Sequence, residues 1–239
     1  MLLKISGGML NTTKEKRDAF INAGSEIEKE LYQIFKKGDP IVIADIGACD
    51  GLSSIIYARM FPNAFIHAFE PRQDNFDLMF KNFEEYGIMN RCEMHMCALG
   101  DRNGMVPFYR SKGQAPGVED WDTGNKSSSV LKPKEHLSVH KWCEFDREMC
   151  VMHRLDDMRV DHIDFAHIDV QGAEAMVING GARTLNSSKA IWIEVSNIEL
   201  YENQVTKYRL VEFMCSIMKL KIVKDTCTGK RFGDILFVR

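Results

Sequence analysis

The chain has no apolar run near the ~18 residues that a membrane-spanning helix needs. Its opening, MLLKISGGMLNTTKEKRDAF, also lacks the apolar stretch of a secretory leader. No membrane partner is expected, and a cytoplasmic location is. There is no CxxC pair: the seven cysteines, at 49, 92, 97, 143, 150, 215 and 227, are an odd, scattered set. They fit neither a disulfide framework nor a structural zinc site and read as reduced thiols. A long basic run is missing too, and 31 basic against 34 acidic residues leave a net charge of -3. Such a chain has no electrostatic footprint for a phosphate backbone, so nucleic acid is not an expected partner. Internal repeats and linkers are absent, and 239 residues suit one α/β domain with a sizeable core.

What is present is a periodic pattern. Phe20, Ala23, Ile27, Leu31, Ile34 and Phe35 recur at helical spacing. They predict one amphipathic helix over 14–37, capped by Thr12 or Thr13 and stopped by Gly38-Asp39-Pro40. The run 41–47, IVIADIG, is apolar up to its acid and glycine, as in a parallel strand buried on both faces. Helices at 52–61 and 76–87 and strands at 64–69 and 92–99 follow, and this alternation predicts a doubly wound sheet. The rhythm then stops. Residues 105–110 read as an added strand that a short strand near 150–153 can pair with, while 114–133 has no apolar period. Loops of that length are usually functional or disordered. Alternation resumes with strand 163–170, a helix from Ala173 to about Leu185, strand 189–195 and a helix over 204–218. The last two strands, 220–225 and 233–239, are joined by a short turn and are therefore antiparallel. The expected organisation is one domain over 1–239, with 1–38 as a helical cap and 105–153 as an inserted hairpin and loop.

The most informative segment is Asp45-Ile46-Gly47-Ala48-Cys49-Asp50-Gly51. A buried strand leads into a glycine turn and a helix, which aims backbone N–H groups at a ligand. Gly47 permits close backbone approach, and Gly51 opens the helix without an obstructing side chain. Glu70 ends the second strand 25 residues after Asp45. A carboxylate there can accept from both ribose hydroxyls of an adenosine-type ligand. Asp45 and Glu70 are also able to cap the helices that follow them. Charge separates the candidate ligands. A dinucleotide would set its pyrophosphate against Asp45 and Asp50, and the GxGxxG spacing is absent. S-adenosylmethionine has no phosphate, and its sulfonium and ammonium suit an acidic surround.

In a doubly wound sheet the ligand lies at the carboxyl ends of the strands, where strand order reverses. Strand 163–170 ends in HIDVQGAE (167–174), a second acid followed by glycine and a helix, which should bring Asp169 opposite Gly47. Together with DIGACDG (45–51), AFEP (68–71), ALGD (98–101), RLDD (154–157) and the closing GDILFV (233–238), this segment resembles the FkbM-type methyltransferases. Order and spacing match from about residue 41 to the end. The resemblance implies a class I methyltransferase fold: an α/β, Rossmann-like three-layer sandwich around a seven-stranded, mostly parallel sheet with an antiparallel C-terminal strand. It also implies an S-adenosylmethionine-dependent enzyme that methylates hydroxyls, often on sugars, glycans or natural products. Carried over by position, Asp45, Gly47, Ala48 and Gly51 would hold the methionine portion, with Asp50 beside them. Glu70 would hold the ribose, Cys97, Ala98 and Leu99 would flank the adenine, and Asp169 and Gln171 would line the methyl-transfer side. The family often has Glu where this chain has Gln171. A neutral amide is neither a base nor a strong metal ligand, so any such role shifts to Asp169.

A hydroxyl acceptor must lose its proton during attack, so a general base is expected. Asp169 is the first candidate and His167 the second; two apart on a strand, they share a face. Against these roles stand a helix-capping Asp169 and a packed core His167. His136 and His140 lack a third ligand and the HExxH order, so no metal is expected there. A divalent ion at Asp169 would need ligands that the sequence does not reveal. Trp121 with Glu119, Asp120 and Asp122, and Tyr201 with Glu202, are candidates for the acceptor side, with 105–153 as a lid. Two rival readings remain. A nicotinamide-dependent oxidoreductase is disfavoured by the acidic turn and the C-terminal antiparallel pair. A non-catalytic adenosine-binding scaffold would keep Asp45 and Glu70 without a working acceptor crevice.

Overall fold

The computed structural model describes residues 14–114, 116 and 124–239. Its first half runs α1 (Lys14–Ala23), α2 (Glu28–Ile34), β1 (Val42–Ile46), α3 (Leu52–Met60), β2 (Phe65–Phe69), α4 (Gln73–Glu85) and β3 (Cys92–His95). A short β4 (Ala98–Leu99), the long β5 (Gly104–Gly113), α5 (His136–Val139) and β6 (Cys143–His153) follow. The chain then continues through β7 (Phe165–Ile168), α6 (Glu174–Gly180), α7 (Ala182–Leu185), β8 (Ala190–Ser196), α8 (Lys207–Ser216), β9 (Lys221–Asp225) and β10 (Phe232–Val238).

A seven-stranded sheet in the order β3-β2-β1-β7-β8-β10-β9 forms the middle layer. All its pairs are parallel except those of β10, which runs antiparallel to both β8 and β9. This is the mostly parallel sheet expected, and its strand order reverses between β1 and β7. β1 sits at the centre because Ile43, Ala44, Asp45 and Ile46 are all buried, which a strand covered on both faces requires. Alternation then sorts the side chains. Ile43, Ile66, Phe165 and Leu236 pack on one face with Ile27, Leu31, Ile55, Met79 and Phe83 of the N-terminal helical layer. Ala44, Ile46, Ile168, Ile193 and Phe237 pack on the other with Val177, Ile178, Leu210 and Met214 of the later helices. A three-stranded sheet, β4-β6-β5, stands beside this sandwich on its own small core of Ala98, Val106, Phe108, Cys150 and Met152. Among the described residues no helix is long and apolar enough to cross a membrane.

Three expected elements are divided. The helix over 14–37 breaks at Gly24, whose φ of +73° leaves the helical region, and resumes as α2; Thr12 and Thr13 lie outside the described residues. The strand over 92–99 separates at Met96 into β3 on the large sheet and β4 on the small one, where Ala98 pairs with Met152. The helix from Ala173 divides at Gly180-Gly181. A Cβ on Gly180 would lie 1.7 Å from the Gly100 carbonyl oxygen, so this helix passes directly against the turn after β4. In the hairpin, β6 is longer than the short strand expected and pairs with β5 antiparallel from Gly104–Met152 to Gly113–Cys143.

Candidate active site

The carboxyl ends of β1, β2 and β7 open into a crevice of about 200 Å³. Its floor is a crossing of two turns. Gly47 has φ +86°, and a Cβ there would lie 1.8 Å from the Asp169 carbonyl oxygen, so only glycine lets the turn after β1 rest on the turn after β7. The N–H groups of Gly47 and Ala48 both donate to the Phe69 carbonyl at 2.9 Å, which ties the first turn to the end of β2. Gly51, at φ +77°, is hemmed in by Phe83 and Met79 and sets the start of α3.

Glu70 follows β2 directly and is buried at the crevice wall. Its Oε2 accepts from the Cys49 N–H and its Oε1 from the Arg72 N–H, both at 2.9 Å. Burial outweighs those bonds and raises its pKa to about 7. Asp50 also lines the crevice, and burial raises its pKa against the opposing pull of the Lys126 charge. Cys97, Ala98 and Leu99 form an apolar wall where the chain passes from β3 to β4. On the opposite side Asp169 Oδ1 accepts from Gln171 Nε2 at 2.6 Å. The same amide nitrogen lies 3.2 Å from Glu194 Oε2, and the Tyr201 hydroxyl is 3.3 Å from Gln171 Oε1. Carboxylate oxygens of Asp169, Glu174 and Glu194 lie within 4.8 Å of one another. Glu174 accepts from the Val170 and Gly172 N–H groups. Burial, then the Asp169 charge, raises Glu174 to about 7 and Glu194 well above its ordinary range.

The rim comes from the inserted segment. Asn125, Lys126, Ser128, Ser129 and Val130 line the crevice, with Asn125 Nδ2 3.8 Å from Cys49 Sγ of the glycine turn, and Phe20 of α1 reaches it from the N-terminal layer. Arg72 is buried and fixes this rim. It pairs bidentately with Asp74 at 2.5 and 2.7 Å, and its third nitrogen donates to the Ser111 carbonyl at 2.7 Å and Ser128 Oγ at 3.3 Å. Asn75 and Asn125 donate to each other, side chain to backbone carbonyl and side chain to side chain. The Tyr201 hydroxyl reaches the Ser127 carbonyl at 2.8 Å.

Most residues expected at the site converge on this one crevice: Gly47, Ala48, Asp50, Glu70, Cys97, Ala98, Leu99, His167, Asp169 and Gln171. Asp45 is the correction. It lies on β1 below the turn, fully buried and off the crevice wall, and accepts from Ser54 Oγ at 2.6 Å and from His167 Nδ1 at 2.9 Å. It supports the site from behind. His167 lines the crevice with its Nδ1 donating to Asp45, whose bond and charge outweigh burial and raise its pKa. Gly51 sits below the wall, as a backbone device. Sequence reading missed Arg72, Asn75, Asn125 and Phe20. Trp121, Glu119, Asp120 and Asp122 lie outside the described residues. Tyr201 meets the site through Gln171, whereas Glu202 pairs with Lys132 at 2.7 Å instead.

A doubly wound sheet with β10 reversed and an acidic glycine turn at its switch point defines a methyltransferase of the α/β class. Comparison with known proteins narrows this: residues 45–221 match the family model described as Methyltransferase FkbM domain, and the chain belongs to that family. It is 33% identical over 216 residues to the 2-O-methyltransferase NoeI of Sinorhizobium fredii (strain NBRC 101917 / NGR234), across 88% of this chain and 84% of that one. It is 26% identical to Methyltransferase 1 of Beauveria bassiana (strain ARSEF 2860), across 67% and 66%. The crystal structure of methyltransferase FkbM from Methylobacillus flagellatus KT shares the fold, with TM-score 0.58 and 16% identity. That match covers 92% of this chain and 50% of the other. The enzyme class is therefore methyltransferase rather than nicotinamide-dependent oxidoreductase or scaffold.

Proposed function

We propose that this enzyme uses S-adenosylmethionine to methylate a hydroxyl of a small sugar or glycan acceptor. The observation that carries the cofactor is Glu70, a buried carboxylate held by two backbone N–H groups in the same crevice as the Gly47–Asp169 crossing. The residues fit the ligand. Glu70 would accept from the ribose hydroxyls, and Cys97, Ala98 and Leu99 offer an apolar face to adenine. Asp50 and Asp169 would offset the positive groups of the methionine portion beside Gly47 and Ala48. Bound there, S-adenosylmethionine supplies an electrophilic methyl on a sulfonium.

The chain's own part is to hold the acceptor in line, which is worth ~7–11 kcal/mol in well-oriented systems. Asp169 would accept the hydroxyl proton while Gln171 fixes its orientation. Residues 125–126 and 128–130 of the inserted segment, which line the crevice, would bound the acceptor side. Attack by oxygen is supported by the relative named a 2-O-methyltransferase, and the sugar by the family resemblance. The test is calorimetric titration with S-adenosylmethionine and NAD, followed by labelled methyl transfer to a panel of saccharides. We expect micromolar S-adenosylmethionine binding that collapses in Glu70→Ala, and saccharide labelling that collapses in Asp169→Asn. Binding of NAD alone, or label on nitrogen acceptors only, would overturn the reading.

A further inference from the structure

Away from the crevice, on the edge of the large sheet, a second cluster of side chains converges. β2 and β3 pair in parallel with His67 opposite Glu93 and Phe69 opposite His95, so these four side chains leave one face together. His67 Nδ1 lies 3.2 Å from His95 Nε2 and 3.3 Å from Glu93 Oε2, and the three atoms fall within 4.8 Å of one another. We propose that His67, Glu93 and His95 form a transition-metal site of zinc-type chemistry on the β2–β3 edge.

The distances carry the argument. Ligands bound at 2.0–2.1 Å to a tetrahedral ion stand about 3.3 Å apart, which is the spacing of the two short contacts. Two imidazoles and a carboxylate are also the donor set that zinc, nickel and copper accept, whereas calcium and magnesium prefer oxygen. A hydrogen bond alone accounts for less. His67 Nδ1 takes part in both contacts, and one ring nitrogen has one proton to share between His95 and Glu93. An ion satisfies all three atoms at once. The side chains are also preorganised: His67 is nearly buried, and the His95 ring stacks on Phe69 with centroids 4.4 Å apart at 12°. Glu93, with 56% of its side chain exposed, leaves the site open to solvent for entry and for a water ligand.

Its position gives the ion a consequence. The His95 carbonyl accepts from the N–H groups of Glu70 and Cys97, and Phe69 lines the crevice. An ion on His95 would brace the wall that holds Glu70.

The test is calorimetric titration of the chelator-treated full chain with Zn2+, repeated with Co2+ while following the visible bands that tetrahedral coordination intensifies. We expect one saturable site per chain. Glu93→Ala should weaken it by about 10-fold or more, and His95→Ala should remove it along with the cobalt bands. His162→Ala, at an exposed histidine elsewhere, should leave it unchanged. Because Glu93 is mostly exposed, that variant keeps the fold and keeps the test decisive. No saturable binding, or binding that is unchanged in Glu93→Ala, would overturn the proposal.

Discussion

Glu70 is a buried carboxylate whose oxygens each accept one backbone N–H, and it titrates at about 7 because burial outweighs those bonds. Ribose hydroxyls would donate to its ionised form, so ligand binding and ionisation favour each other. The affinity for S-adenosylmethionine should then fall as pH drops below about 7, by up to about 10-fold per unit. Calorimetry across that range checks this, and Glu70→Gln should bind weakly with a flat profile. If the slope survives in Glu70→Gln, another group is its source. Gly47 makes a different kind of demand. Its φ of +86° and the 1.8 Å approach to the Asp169 carbonyl leave no place for a methyl group. Gly47→Ala should cost about 3 kcal/mol or more, through strain and backbone displacement. Gly38→Ala, where nothing lies within 4 Å, is the control and should unfold at the same denaturant concentration as the parent.

Among the elements, the hairpin β5–β6 and its return segment depend on Arg72 to meet the sandwich. The guanidinium joins Asp74, the Ser111 carbonyl and Ser128, and Arg110 adds a 2.8 Å bond to the same Asp74. Those two arginines hold the Asp74 carboxyl well below its usual range. Arg72→Met should release residues 104–113 and 124–131, with amide exchange there faster by about 10-fold or more while β1 and β7 keep their protection. Equal loosening everywhere would show instead that Arg72 supports the whole fold. This join was not legible in the sequence, because it links residues 39 and 56 positions apart in surroundings with no apolar period. The central strands were legible, since Ile43 to Ile46 form a continuous buried run that needs no partner to be recognised. The break between β3 and β4 was not. Residues 92–99 alternate as one strand would, and the turn at Met96 is decided by Ala98 pairing with Met152, far along the chain. Asp45 lay between these cases. Its acid was visible, but its direction depends on the register that sets it opposite His167, which follows only once β1 and β7 are paired.

At the scale of the whole molecule, acids gather at the carboxyl ends of β7 and β8 and the adjoining start of the antiparallel β10. Burial first, and the Asp169 charge next, bring Glu174 and Asp234 to about 7 and Glu194 well above its ordinary range; Glu70, at about 7, and Asp50 are raised by burial as well. Unfolded, these groups titrate near 4.5 for Glu and 3.8 for Asp. Between those values and about 7 the folded chain keeps protons that the unfolded chain has lost. Their contribution is complete below the unfolded values and disappears as pH rises through the folded ones. His167, also raised, acts in the same sense. Burial lowers His136 to about 4 and also lowers His67 and His95, which gives an opposite slope as pH rises toward 6.5. Glu70, Glu174 and Asp234, each moved at least as far as His136, act with Glu194 in the same direction and outweigh those imidazoles. With chelator present, the free energy of unfolding should therefore fall by a few kcal/mol from about pH 5 to about pH 7.5, at roughly 1.4 kcal/mol per unit of pKa shift. Saturating S-adenosylmethionine, a cation beside these acids, should flatten that fall by favouring their ionised forms. Urea unfolding at a series of pH values, with and without the ligand, reads both effects. A free energy that climbs steadily over the same window would mean that the acids are ionised in the folded protein, and that the crevice already carries the negative charge a sulfonium needs.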